Sequence, residues 1–262
     1  MISILTVFIG SVAAASDAGV SWHVVGAGVE YGTVQVVASP SLGDGLFHLV
    51  RIDPKVAVVK AEAATLDGGV ARTAADWSRN FKYSVVFNAG MYETDYLTHT
   101  GRFTIGAHRN NPKWVESYKS AVIARGEKSV EMIDTETFNR DAGVPTYFVQ
   151  NLRLIRRPGV NVWAQTQRAW SEVALTALAS GQLMVVFTRT PFTMHDFNEN
   201  LLALGLGVVA AQHLEGGPEA SLSIHGGGIN VDFAGSYETN FMSDDSNKRQ
   251  WVLPNVFGVR SP

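Results

Sequence analysis

Residues 208–222 read Val-Val-Ala-Ala-Gln-His-Leu-Glu-Gly-Gly-Pro-Glu-Ala-Ser-Leu and bring an acid to a place where its chemistry changes. The apolar run 206–211 has the length of a buried strand, so Glu215 stands at a strand's end beside Gly216, Gly217 and Pro218. Partial loss of water raises a carboxyl's pKa toward the range useful for proton transfer. The glycines permit positive φ and let another group approach the backbone, while Pro218 fixes the exit. Strand, tight turn and strand is the plain reading, and a capped hairpin carrying a solvated glutamate fits the same spacing.

Other residues of useful type are scattered. Arg168, Ser171 and Glu172 lead into the apolar stretch 173–178. His195 and Asp196 follow Thr193, which suits a helix N-cap with Asp196 in the first turn. A histidine at a helix start is also a common satisfied polar residue. Asn88 ends the strand-like run 83–87 and precedes Ala89-Gly90, a sequence that turns sharply. Arg51 and Asp53 fit either a mutual surface pair or a site. His99 and His108 lie with Asp95 in the long polar stretch 93–111, a length of loop that is often functional. Their spacing matches no metal-ligand pattern, so no metal or other cofactor is expected. Ser221, His195 and Asp196 supply the types of a hydrolytic triad, but there is no Gly-x-Ser-x-Gly elbow, and no Walker loop either.

The elements that must position these residues are mostly short strands. Runs 46–52 and 56–61 suggest a hairpin stopped by Pro54. A short helix begins near residue 71, with Ala74 and Trp77 on one face. Residues 118–124 and 147–155 read as strands, and the charged stretch 127–142 as a helical or loop excursion. Residues 173–178 and 183–187 form a hairpin about Gly181, followed by a helix over 193–204 with Phe197, Leu201, Leu202 and Leu204 on its apolar side. The three glycines 226–228 make a turn, and a final strand closes the chain. With no internal repeat and no composition boundary, this predicts one α+β domain around a mixed, mostly antiparallel multi-stranded sheet with a few helices.

Composition narrows the class. The 262 residues are 46% hydrophobic and 17% charged, a globular balance able to bury a sizeable core. A net charge of −3 without a basic stripe gives no case for nucleic acid, and Arg153, Arg156 and Arg157 read as a solvated edge. The absence of cysteine excludes disulfides and thiolate zinc sites. Residues 2–12 are apolar and precede Ala13-Ala14-Ala15-Ser16, a pattern like a signal-peptidase site although no Lys or Arg comes before it. The run is too short to cross a bilayer as a helix. A leader over 1–15 and an exported domain over 16–262, not held in the membrane, are expected.

Several segments together resemble the phosphodiester glycosidase family. They are Phe87-Asn88-Ala89-Gly90-Met91, Ser171-Glu172, Met194-His195-Asp196-Phe197, Leu214-Glu215-Gly216-Gly217-Pro218-Glu219-Ala220-Ser221 and Leu253-Pro254-Asn255-Val256-Phe257-Gly258-Val259. The resemblance spans roughly residues 45–260. Where the family usually carries Leu-Asp-Gly-Gly-Gly-Ser, this chain has the longer acid Glu215 and a Pro-Glu insertion. The eukaryotic member removes N-acetylglucosamine from a sugar phosphodiester, and bacterial members are mostly exported. The resemblance therefore implies an exported hydrolase acting on a sugar-1-phosphodiester or related envelope glycan. Reaction at an anomeric carbon commonly uses two carboxyl groups. In that reading Glu215 takes one role and Glu172 the other, with Asp196 behind it. His195 acts in acid/base transfer or fixes Glu215. Arg168 or Arg51 clamps phosphate, Asn88 hydrogen-bonds substrate, Ser171 lies beside it, and Gly216 and Gly217 offer backbone N–H groups. Glu215, Glu172, Asn88 and Arg168 should line one cleft. A non-catalytic glycan-binding protein on the same fold is the alternative, with six Trp and seven Tyr as stacking platforms.

Overall fold

The computed structural model describes residues 19–139 and 143–262; the expected leader lies outside the described residues. The chain enters through β1 (His23–Gly26), β2 (Val29–Gln35), β3 (Leu46–Ile52), β4 (Val58–Ala63), α1 (Ala74–Phe81) and β5 (Val85–Asn88). Then come β6 (Phe103–Ile105), β7 (His108–Asn111), β8 (Ser120–Ala124), β9 (Val130–Asp134), β10 (Tyr147–Asn151), β11 (Arg153–Arg156) and β12 (Val160–Asn161). The last part holds β13 (Trp170–Leu178), β14 (Leu183–Phe192), α2 (Met194–Ala203), β15 (Val208–Gly216), β16 (Ser221–Gly226), β17 (Ile229–Ala234) and β18 (Asn255–Arg260).

These strands form an eight-stranded sheet in the order β1-β2-β3-β14-β13-β15-β11-β12 and two five-stranded sheets, β7-β6-β10-β8-β9 and β17-β16-β5-β18-β4. Side chains of all three meet in one apolar core, among them Val50, Leu175 and Val185, then Phe87, Leu222 and Phe257, then Phe103, Val122 and Val149. Successive side chains of a strand point to opposite faces. In β13, Val173, Leu175 and Ala177 join that core, while Ala174 and Leu178 join a second layer beneath α2 with Phe197 and Leu201. Central strands buried on both faces must be apolar throughout, which is why 173–178 and 183–187 read as unbroken runs. α1 covers a small sheet from outside, placing Trp77 against Val86 and Val256.

The expected α+β class is corrected by this architecture. The described residues hold two α-helices against eighteen strands, and every strand pairing between those strands is antiparallel, so the fold is β-rich and not mixed in direction. The charged stretch read as an excursion supplies the sheet-edge strand β9, whose Val130 and Met132 are buried while Glu131 between them is exposed. That is a period-two pattern hidden by the polar residues around it. The hairpin expected for β3 and β4 does not form either, because the two strands belong to different sheets. The same is true of β15 and β16: the Gly-Gly-Pro turn, a short 3-10 stretch Gly217–Glu219, carries the chain from the large sheet into a small one.

Candidate active site

The geometry of this crossing starts with a bulge. Val173 pairs with Glu215 and Ala174 with His213, so Leu214 is an extra residue in β15. A bulge bends a strand and re-aims its side chains, and it recurs near functional sites. Here His213, Glu215 and Gly216 all line a cleft of about 410 Å³, together with Trp163, Trp170 and Glu238. Gly216 must lack a side chain because a Cβ would lie 2.4 Å from the Trp170 ring. Gly217 sits at φ +62°, and a Cβ there would lie 2.7 Å from a Glu238 carboxyl oxygen and 3.5 Å from one of Glu219. Only glycine satisfies both the conformation and the approach of two carboxyl groups.

Glutamates 215, 219 and 238 therefore converge around one turn. Burial pushes the Glu215 carboxyl well above its ordinary range, and the charges of Glu219, Glu172 and Glu238 push the same way against one backbone hydrogen bond from Gly216. Burial, with a smaller contribution from Glu238, raises Glu219 to about 7. Among the described residues no cation is ion-paired with either. Arg168 pairs with Glu238, at 3.8 Å, from an exposed position at the cleft. The Glu219 charge bears directly on the Glu215 carboxyl, so the two protonations are linked.

Beneath the cleft the polar groups are fixed. Glu172 is fully buried, and its oxygens accept from Trp170 Nε1 at 2.7 Å and lie 2.7 Å from His213 Nδ1. Burial raises the Glu172 pKa and the His213 and Trp170 contacts oppose it. Holding Nδ1 in this way orients the imidazole and leaves Nε2 for the cleft. Asn88 is buried too: its amide donates to the Glu219 carbonyl at 3.1 Å and its oxygen accepts from Ser221 N–H at 2.8 Å. Ser171 Oγ donates to the Arg189 carbonyl and accepts from the N–H groups of Ser236 and Tyr237, pinning the segment that carries Glu238. Of the residues expected to share a cleft, Glu215 and Arg168 line it, with Gly216; Glu172, Asn88 and Ser171 hold its walls from behind.

The remaining candidates lie elsewhere. His195 and Asp196 open α2 on the outer layer, where Thr193 caps the helix by accepting from Asp196 N–H. Asp196 takes two bonds from Gln165 Nε2, at 2.8 and 2.9 Å, and contacts His195 Nδ1 at 3.2 Å. The Gln165 contact, then His195 and Thr193, hold its pKa below the ordinary value. Arg51 pairs with Glu30 at 2.9 Å and lies over Trp22, while Asp53 caps Lys55 N–H. His99, His108 and Asp95 stay apart: His99 Nδ1 accepts from Gly101 N–H, His108 meets Thr65, and Asp95 caps Leu97 and Thr98. Among the described residues no three His, Asp or Glu side chains gather in a metal-holding group.

Sequence alone does not mark His213, Glu238 or the two tryptophans as site residues, and it shows Glu219 only as part of the Pro-Glu insertion. His213 stands two residues before Glu215 on the same strand, a spacing that was there to be read. Glu238 lies in an irregular polar segment and joins the site only through tertiary pairing.

No protein-family model and no curated protein matches this chain. Solved structures do. The zebrafish N-acetylglucosamine-1-phosphodiester alpha-N-acetylglucosaminidase catalytic domain, auto-inhibited by its pro-peptide, superposes with a TM-score of 0.58 over 89% of this chain and 88% of its own, at 12% identity. A hypothetical protein from Synechocystis superposes with a TM-score of 0.53 over 90% of this chain and 62% of its own, at 13% identity. At such identities the likeness is one of fold, and this chain has the fold of that phosphodiester glycosidase domain.

Proposed function

We propose that the protein is an exported hydrolase that cleaves a glycosidic bond to a phosphodiester, or in a related envelope glycan, by carboxylate acid/base chemistry. The observation that carries this reading is the pair Glu215 and Glu219, desolvated and, among the described residues, without a cationic partner, on one turn beside a cleft. The shared fold with a domain named for action on a sugar phosphodiester supports the substrate class.

In this reading Glu219, titrating near 7, accepts a proton from the water that attacks the anomeric carbon. The carbon–oxygen bond breaks toward the phosphate, which leaves as a stabilised anion and needs little acid help. Glu215, whose carboxyl burial holds well above its ordinary range, donates its proton where the leaving oxygen is more basic. Trp163 and Trp170 offer apolar faces to a sugar, and Arg168 meets substrate charge at the mouth. Glu172 acts through His213 and is a positioning residue, as are Asn88 and Ser171. Asp196, His195 and Arg51 serve the scaffold.

The test is turnover of a panel of sugar-1-phosphodiesters and aryl glycosides by the mature protein and its Glu215→Gln and Glu219→Gln variants. Cleavage of a phosphodiester that disappears in both variants supports the assignment. Full activity in both moves the chemistry elsewhere, and glycan binding without turnover favours the non-catalytic alternative.

A further inference from the structure

A second cleft lies apart from the site cleft. It measures about 1060 Å³, more than twice the volume of the site cleft, and Tyr92, Tyr96, Arg189, Lys248, Arg249 and Trp251 are among its walls. It adjoins the carboxyl turn. Tyr92 is half-buried within electrostatic reach of Glu215 and Glu219, so that burial and then these charges raise its hydroxyl pKa. The buried Asn247 donates to the Pro218 carbonyl at 3.5 Å and to the Gly235 carbonyl at 2.7 Å.

The cationic wall of this cleft is built. Arg189 is consumed in holding it: its guanidinium binds Asp245 and donates to the Asn247 and Ala234 carbonyls. Gln250 accepts from Ala75 N–H and donates to Ser223 Oγ and the Phe233 carbonyl. Between the two amide anchors Asn247 and Gln250, the side chains of Lys248 and Arg249 stand exposed. Lys248 donates to the Asp245 carbonyl and lies within electrostatic reach of the exposed Asp244 carboxylate, and among the described residues the Arg249 guanidinium has no hydrogen-bond or ion-pair partner. The acids of the cleft are already engaged, Asp44 by His48 and Asp232 by Ser223 and His225. Tyr96, another residue of the cleft wall, is 68% exposed and held at φ +57°. A bulky residue seldom adopts that conformation, and such strain collects at binding sites.

We infer that this cleft binds an anionic sugar chain on the leaving-group side of the bond to be cut. Sugar faces stack on Tyr96 and Trp251, and the acid groups of the chain meet Lys248 and Arg249. "Leaving-group side" rests on the hydrolase reading above; the binding itself does not.

Calorimetric titration of the full-length Glu215→Gln protein tests it with four probes: hexagalacturonate, pentamannose phosphate, neutral maltohexaose and a single-stranded oligonucleotide hexamer. One or both anionic glycans should bind, with affinity falling as salt rises, and the tighter of the two identifies the acid group. The double variant Lys248→Ala/Arg249→Ala should weaken that binding about tenfold or more. Tyr96→Gly, which removes the ring and suits the positive φ, should weaken it as well. No binding by either anionic glycan overturns the inference, as does equal affinity for maltohexaose, stronger binding of the oligonucleotide, or indifference to the double variant. Turnover of a methyl sugar-1-phosphodiester, too small to fill the cleft, should be unchanged in the double variant made on the wild-type background. Its absence in wild type counts against the hydrolase reading alone.

Discussion

Asp196 and Glu215 are both acids placed at an element's end, and both are possible participants in acid/base chemistry by residue type. Asp196 opens a helix on the outer layer, receives two bonds from Gln165 and one contact from His195, and has its pKa held down. Glu215 closes a bulged strand between sheets, receives one backbone bond, faces three other glutamates and has its pKa pushed up. A carboxylate whose charge is already satisfied gains little by reacting. One that the fold leaves desolvated beside like charges exchanges its proton readily. The contrast is one of neighbours, since both are acids of ordinary type next to turn-forming residues.

The contrast breaks most plainly if the two acids respond alike to removal of charge. Glu215→Gln should lower kcat/KM by about a thousandfold, in the range typical of a lost acid/base group, while Asp196→Asn stays within about threefold. Glu172→Ala sharpens the role of the buried layer. Leaving His213 without its partner should cost about 3 kcal/mol in denaturant unfolding, and Glu172→Gln, which keeps the packing, should recover part of that while still lowering kcat. Gly217→Ala should cost about 1–3 kcal/mol, because φ +62° and the Glu238 contact both oppose a Cβ.

A smaller effect follows from pH. A carboxyl whose folded-state pKa stands above its unfolded value loses the fold stability as pH rises through the interval between them. For Glu219 that interval runs from its ordinary 4.5 to about 7. Unfolding free energy should fall across it by roughly 1–2 kcal/mol after allowance for partial exposure, and Glu219→Gln should flatten that slope. Thr193→Ala should cost about 1 kcal/mol by removing the α2 cap and leave kcat unchanged.

What could be read from the sequence is what depends on near neighbours. Thr193 announces the start of α2 because a cap acts on an N–H three residues on, and Gly216-Gly217-Pro218 announces a turn because φ is a local property. Which sheet the chain enters after that turn is not local, and neither is the pairing of β4 with β18, so the hairpins expected there did not form. Glu215 was legible as an acid at the end of an apolar strand. Glu238 was not, since it meets Gly217 only because Ser171 pins residues 236 and 237. Glu172 illustrates the reverse case: its type and place suggested contact with substrate, and the indole of Trp170 and the ring of His213 take up its oxygens.

The protonation of the Glu215–Glu219 pair decides whether this turn is reactive, and it is measurable without knowing the substrate. Carbon-13 NMR titration of protein labelled at glutamate side-chain carboxyls, beside Glu215→Gln and Glu219→Gln, reads it directly. One resonance should titrate near 7 and a second should stand well above the ordinary glutamate range, each lost or shifted in the matching variant. Both carboxyls titrating at ordinary glutamate values would contradict this and leave the turn no more reactive than Asp196.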